Sequence, residues 1–154
     1  MAFLVLAFLI GVIAGLRTMM APAAVSWAAH LGWLPLAGTP LAFLGSGITA
    51  WVLTIMAVGE LVVDQLPGTP SRKVPLQFGA RLLSGGLAGA AIGAGGGMLA
   101  LGVVLGVVGA VAGTLGGAAA RARMARSFGH DRPAALIEDA VAIGGAVLIV
   151  LAIP

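Results

Sequence analysis

Residues 82–120 read LLSGGLAGAAIGAGGGMLALGVVLGVVGAVAGTLGGAAA, and no charged side chain stands between Arg81 and Arg121. About 20 apolar residues are enough for a helix to cross the hydrocarbon of a bilayer. A single helix over residues 78–120 would measure roughly 65 Å, about twice the hydrocarbon thickness. The stretch therefore predicts two membrane-spanning helices that are joined by a turn at the consecutive glycines of residues 95–97.

Glycine recurs at every fourth position along the first arm of this hairpin, and the second arm repeats the pattern from Gly102 and Gly106 onward. Glycines four residues apart line one face of a helix and let two backbones approach closely. We expect these faces to pack the two arms together or to form an oligomer interface. The predicted packing residues are Gly85, Gly89, Gly93, Gly97, Gly109, Gly113 and Gly117.

The composition of the whole chain agrees with a membrane protein. Hydrophobic residues make up 60% and charged residues 8%, whereas an average soluble domain has roughly 25% charged residues. We predict an all-α integral membrane protein, a bundle of five to six short transmembrane helices in one domain over residues 1–154. The net charge of +3 is too small and scattered for a nucleic-acid surface, and the absence of cysteine excludes thiolate chemistry and disulfides.

Charge and proline divide the rest of the chain. Arg17 interrupts an uncharged N-terminal segment and Pro22 follows it, which predicts a bend between two short helices. Further spans are predicted over residues 41–63 and 134–154. The polar segments 65–77 and 121–132 are predicted to be cytoplasmic loops, because Lys and Arg accumulate on that side of a membrane.

Two topologies remain open at the N-terminus. If residues 22–36 cross the membrane, the bundle has six helices with both termini outside; if they lie in the outer interface, five spans remain and Arg17 sits deep. We favour six, because an unpaired arginine near the bilayer centre costs at least ~2.5 kcal/mol. Residues 1–66 and 75–154 would then hold three crossings each, which makes the two halves inverted in topology.

Ionisable residues of separate helices converge on one depth in the six-helix arrangement, near the cytoplasmic side. Such groups usually face the interior of a bundle or a water-filled cavity. We predict a path for an ion or a small polar solute along them, and static pairing that fixes helix ends is the alternative. The candidate residues are Arg17, Glu60, Asp64, Arg81, Glu138 and Asp139.

Other chemistry is poorly supported by the sequence. The acidic pairs Glu60/Asp64 and Glu138/Asp139 could hold magnesium against a lipid diphosphate, but their spacing is unspecific. Soluble catalytic motifs are missing, so we predict no catalytic residue, no metal site and no cofactor. His30 lies between Trp27 and Trp33, which indicates an aromatic anchor at the membrane interface rather than a proton relay.

Three segments carry a resemblance to a known family: Gly15-Leu16-Arg17 with Pro22, then Glu60-Leu61-Val62-Val63-Asp64-Gln65-Leu66-Pro67, and finally Glu138-Asp139. With these motifs the chain resembles domain-of-unknown-function family 4126, a bacterial family of small multi-pass membrane proteins. The resemblance implies a multi-pass protein of the bacterial inner membrane, and it supplies no activity.

These observations lead to two functional hypotheses. The first is a transporter or channel that works as a homo-oligomer and passes an ion or small polar solute through the charged layer. The oligomer is expected because six short helices can hardly enclose a solvated path alone. The second is a non-transporting membrane scaffold or accessory subunit that binds partners through its glycine faces.

Overall fold

The computed structural model describes residues 1–65 and 74–154, and in these ranges the chain forms helices and no strand. This confirms the predicted all-α class. Among the helices of the described residues, the fifth and the sixth are long and apolar enough to cross a membrane. The helices are α1 (Ala2–Leu16), α2 (Met20–His30), α3 (Gly47–Val63), α4 (Pro75–Gly95), α5 (Leu99–Phe128) and α6 (Asp131–Leu151).

The α4–α5 hairpin is the centre of the fold, and its arms are in direct backbone contact. A Cβ atom added to Gly89 would lie 2.4 Å from the carbonyl oxygen of Gly102, and one added to Gly106 would lie 2.1 Å from that of Gly85. No side chain fits at such distances, so the glycines allow the arms to meet. The predicted hairpin and its glycine turn are both present.

Helix α1 packs against α4 and α5 and completes a three-helix core. Gly109 and Gly113 of α5 face the carbonyl oxygens of Phe8 and Val12, at 2.1 and 2.2 Å from an added Cβ. Gly11 of α1 meets Gly106 in the same way. Most glycines of the hairpin faces are therefore packed against backbone within the chain, either between α4 and α5 or against α1.

The remaining helices pack around this core, and the helix ends that carry the charged residues all lie at one end of the bundle. Gly95 and Gly96 at the end of α4 lie beside Phe3 at the start of α1, so α1 and α4 run antiparallel. Helix α6 packs against α1, α2 and α5, and α3 packs against α2. The end of α1, the starts of α2 and α4 and the end of α3 consequently meet at one end of the bundle, together with the first turns of α6.

Helix α2 lies inside the bundle rather than across its outer face. It packs against α3, α4 and α6, and the indole Nε1 of Trp27 donates a hydrogen bond to Thr54 Oγ1 of α3 at 2.8 Å. Pro22 falls in the first turn of α2, where its missing N–H would have had no helical partner. The predicted bend between two short helices is therefore confirmed at residues 17–19.

One predicted packing residue and two predicted element boundaries were wrong. Gly97 does not pack against a neighbouring helix: its φ of +71° places it in the turn, and a Cβ atom added there would meet no atom within 4 Å. The third span begins at Gly47 rather than residue 41, because Ala42–Gly45 forms a 3₁₀ turn before it. The basic segment is helical to Phe128 and is not a loop from residue 121.

Two further predictions are only partly covered. Gly117 is half-buried on α5. Most of the predicted loop over residues 65–77 lies outside the described residues, and so does residue 66, the predicted end of the first half. The last residues of that predicted loop are helical, because α4 begins at Pro75.

Candidate functional site

The candidate site is built around the break between α1 and α2. Helix α1 ends at Leu16, and Arg17 follows in an extended conformation with φ −139° and ψ 114°. Its backbone N–H still donates to the carbonyl oxygen of Ile13, so the chain leaves the helix only after this residue. The break exposes the carbonyl end of α1 and the amide end of α2 to side chains from other helices.

Arg17 is completely buried and is shared between two carboxylates. Its guanidinium Nε donates to Asp139 Oδ1 of α6 at 2.6 Å, and its Nη1 forms an ion pair with Asp64 at the end of α3. The side-chain amide of Gln65 donates to the other oxygen of Asp139 at 3.0 Å. A buried arginine needs this compensation, because an isolated charge in a medium of low polarity is strongly unfavourable.

Glu60 occupies the amide end of α2. Its two carboxylate oxygens accept hydrogen bonds from the backbone N–H groups of Thr18 at 2.7 Å and Met19 at 2.8 Å. A negative charge is favourable here, because the amides of the N-cap Met19 and of the residue before it have no intrahelical partner and lie at the positive dipole end of α2. Arg81 approaches the same carboxylate, with Nη2 at 3.8 Å from Oε1.

Arg81 also occupies the carbonyl end of α1. Its Nη1 donates to the carbonyl oxygens of Gly15 at 2.8 Å and Leu16 at 2.9 Å. A cation is favourable at this end of a helix. One turn further along α4, the hydroxyl of Ser84 donates to the carbonyl oxygen of Thr18. The carbonyl end of α1 and the amide end of α2 are thus each held by a group of the opposite charge.

Glu138 directly precedes Asp139 in the sequence, but its side chain belongs to a second cluster of charged residues beside the first. Its carboxylate lies 3.3 Å from Nη1 of Arg121 on α5, and the same guanidinium binds Asp131 through Nε at 2.9 Å. Adjacent residues on a helix point in directions about 100° apart, so Glu138 and Asp139 face different partners. Arg121, which the sequence placed only in the predicted loop over residues 121–132, therefore joins the charged end of the bundle.

The structure brings together five of the six predicted site residues around the break: Arg17, Glu60, Asp64, Arg81 and Asp139. The sixth, Glu138, contacts Arg121. Gln65, Ser84 and the backbone amides of Thr18 and Met19 were missed by sequence reasoning. Ser84 carried a detectable signal, because it stands three residues after Arg81 and therefore on the same face of α4. Over the described ranges, no three His, Cys, Asp or Glu residues form a group that could hold a metal ion.

An apolar groove of about 450 Å³ opens between α2, α3 and α6. Trp27 lines it, and its ring packs edge-on against Trp51 with ring centres 5.3 Å apart. His30 also packs edge-on against Trp27, and its Nδ1 lies 3.1 Å from the carbonyl oxygen of Gly45. These contacts place His30 at the end of the bundle opposite Arg17, far from the charged residues.

The described residues define a class of protein: an all-helical bundle with a glycine-packed core and a buried cluster of arginines and carboxylates at the turn between α1 and α2. The chain belongs to the family described as Domain of unknown function (DUF4126), whose model matches residues 4–154, essentially the whole chain. A search of curated proteins found no match. A search of solved structures found none either.

Proposed function

We propose that the chain is an integral membrane protein whose six helices all lie within the bilayer, with the charged end toward the cytoplasm. Large apolar side chains on the outside of the bundle support this proposal. Ile48 and Ile55 of α3 are 78% and 68% exposed, and Leu148 of α6 is 68% exposed. Contiguous apolar surface of this kind is rare on soluble monomers, whereas lipid tails cover it without cost.

The short helices are compatible with this placement. Helix α1 would be roughly 22 Å long and α2 roughly 16 Å, against about 30 Å of hydrocarbon. Their ends at residues 16–20 lie inside the bundle and are covered by α3, α4 and α6 rather than by lipid. Non-helical backbone at membrane depth is tolerated where protein buries it.

We further propose that the bundle transports an ion or a small polar solute through its charged end, working as a homo-oligomer. The observation that carries this proposal is the buried turn between the antiparallel helices α1 and α2, where charged side chains hold the open end of each helix. Open helix ends carry partial charges, and many secondary transporters bind ions and solutes at helix ends inside the bundle. Each half has three helices, so the second half would cross the membrane in the opposite orientation to the first. This arrangement is consistent with an inverted repeat.

Glu60→Gln tests the transport proposal. Purified protein in liposomes is assayed for flux of protons, alkali cations, halides and small organic acids. We expect a signal for one of these classes in the wild type and a loss of at least about tenfold in the variant, because the charge at the amide end of α2 disappears. Asp131→Asn is the matched control and should retain flux, because it changes an exposed acid that pairs with Arg121 and not the acid at the amide end of α2.

A non-transporting scaffold is the second candidate. It is favoured by the complete burial of Arg17 between two carboxylates, which can serve simply to fix the helix ends. Because the glycine faces are occupied within the chain, a partner would have to bind another surface, such as the exposed face of α3. Folded wild-type protein without flux of any class, together with partner binding that survives Glu60→Gln, would favour the scaffold.

A further inference from the structure

Helix α5 carries one exposed stripe along its whole length. The exposed positions follow one another at intervals of three and four residues, which keeps them on one face of an α-helix. The stripe begins with apolar residues and ends with two arginines. Its members are Leu101, Val104, Val108, Ala112, Leu115, Ala119, Arg123 and Arg126.

The change from apolar residues to arginine falls at the edge of the proposed hydrocarbon layer. The uncharged part of α5, residues 99–120, rises about 33 Å, which matches a hydrocarbon thickness of about 30 Å. Arg123 and Arg126 lie within the next two turns of the same helix. They are therefore at headgroup depth and point outward to the surrounding lipid, not toward the bundle.

Arg121 shows what an arginine facing the bundle does at this depth. It points to α6 and is neutralised by Asp131 and Glu138. Arg123 and Arg126 are turned about 200° and 140° away from it on the helix, on the opposite side. All five acidic residues of the chain lie elsewhere, at the charged end between the helices or at the start of α6. The two arginines thus form a positive surface next to lipid phosphates.

We propose that Arg123 and Arg126 form a binding site for the headgroup of an anionic phospholipid. A guanidinium donates two parallel hydrogen bonds to a phosphate, and two guanidiniums three residues apart on one face can hold a single headgroup. The acyl chains then lie along the apolar stripe below. The inference rests on membrane insertion as proposed above, and it does not depend on transport.

Lipid binding by the detergent-purified full chain tests this site. Phosphatidylglycerol and phosphatidylcholine are titrated separately, with bound lipid counted by native mass spectrometry and protection measured by thermal unfolding. We expect phosphatidylglycerol to bind more tightly, and the double variant R123Q/R126Q to lose about 30-fold in affinity, which is the effect of two arginines at an anionic surface. R123K/R126K should retain much of the preference, since it keeps both charges.

Arg132→Gln is the control for a general charge effect, because it removes an exposed arginine outside the stripe. It should bind phosphatidylglycerol like the wild type, and inorganic phosphate alone should give no protection. Equal binding of the two lipids, or unchanged binding by R123Q/R126Q, would overturn the inference. The proposed membrane insertion fails separately, if the protein partitions into the aqueous phase when cells are fractionated without detergent.

Discussion

Arg17→Gln is expected to lower the free energy of unfolding by about 3–5 kcal/mol, because it leaves two carboxylates facing each other without a cation. Asp64 and Asp139 come from α3 and α6, and Arg17 at the break joins both to the end of α1. The neutral amide of glutamine cannot compensate their charges. The loss is measured by thermal or denaturant unfolding of the purified protein in detergent.

Removal of the two carboxylate charges as well should reverse this effect. The triple variant R17Q/D64N/D139N has no net charge at the three positions, so we expect it to recover most of the lost stability. Arg132→Gln, which removes an exposed arginine, should change the free energy of unfolding by less than about 0.5 kcal/mol. Wild-type stability in Arg17→Gln would show that the buried ion pairs do not hold α1, α3 and α6 together.

Gly106→Val is expected to cost about 3 kcal/mol or more. A Cβ atom at this position would already lie 2.1 Å from the carbonyl oxygen of Gly85, and α1 approaches the same residue through Gly11. Neighbouring backbone cannot move aside as a flexible side chain can, so the valine must separate α5 from both helices. Overpacking of a tight core usually costs 1–3 kcal/mol and more when backbone must shift.

Gly116→Ala is the matched control for this substitution. Gly116 lies on the same helix in open space, and alanine there should be neutral or stabilise α5 by up to about 1 kcal/mol. Unfolding midpoints of the two variants in one detergent make the comparison. If Gly106→Val unfolds like the wild type, the three-helix core is not packed through its glycines.

Local patterns were sufficient for much of the fold. The uncharged stretch between Arg81 and Arg121 predicted the hairpin, and Pro22 after Arg17 predicted the bend. The glycine spacing predicted close approach but not the partner, since Gly89 of α4 packs against α5 whereas Gly109 of α5 packs against α1. The pair Gly11 and Gly15 offered the missing signal, because two glycines four apart on α1 mark a second close-packed face.

The candidate site was predictable in its members and less so in its pairing. Helical periodicity placed Glu60 and Asp64 on one face, and the structure shows both reaching the α1–α2 break. Periodicity within one helix does not predict which residue of another helix will contact that face. For this reason the sequence grouped Glu138 with Asp139, whereas the tertiary packing of α5 against α6 gives Glu138 to Arg121. The backbone amides of residues 18 and 19 donate to Glu60, and no side chain at these positions predicts that contact.

The most direct measurement of the central claim is the sidedness of the two ends of the bundle. The chain has no cysteine, so single cysteines can be introduced at Ala37 and Ser127, which are exposed at opposite ends. A membrane-impermeant thiol reagent is then applied to intact and to permeabilised cells. A bundle that crosses the membrane with its charged end inside predicts labelling of Ala37→Cys in intact cells, and of Ser127→Cys only after permeabilisation. Labelling of both cysteines from the same side would contradict the account.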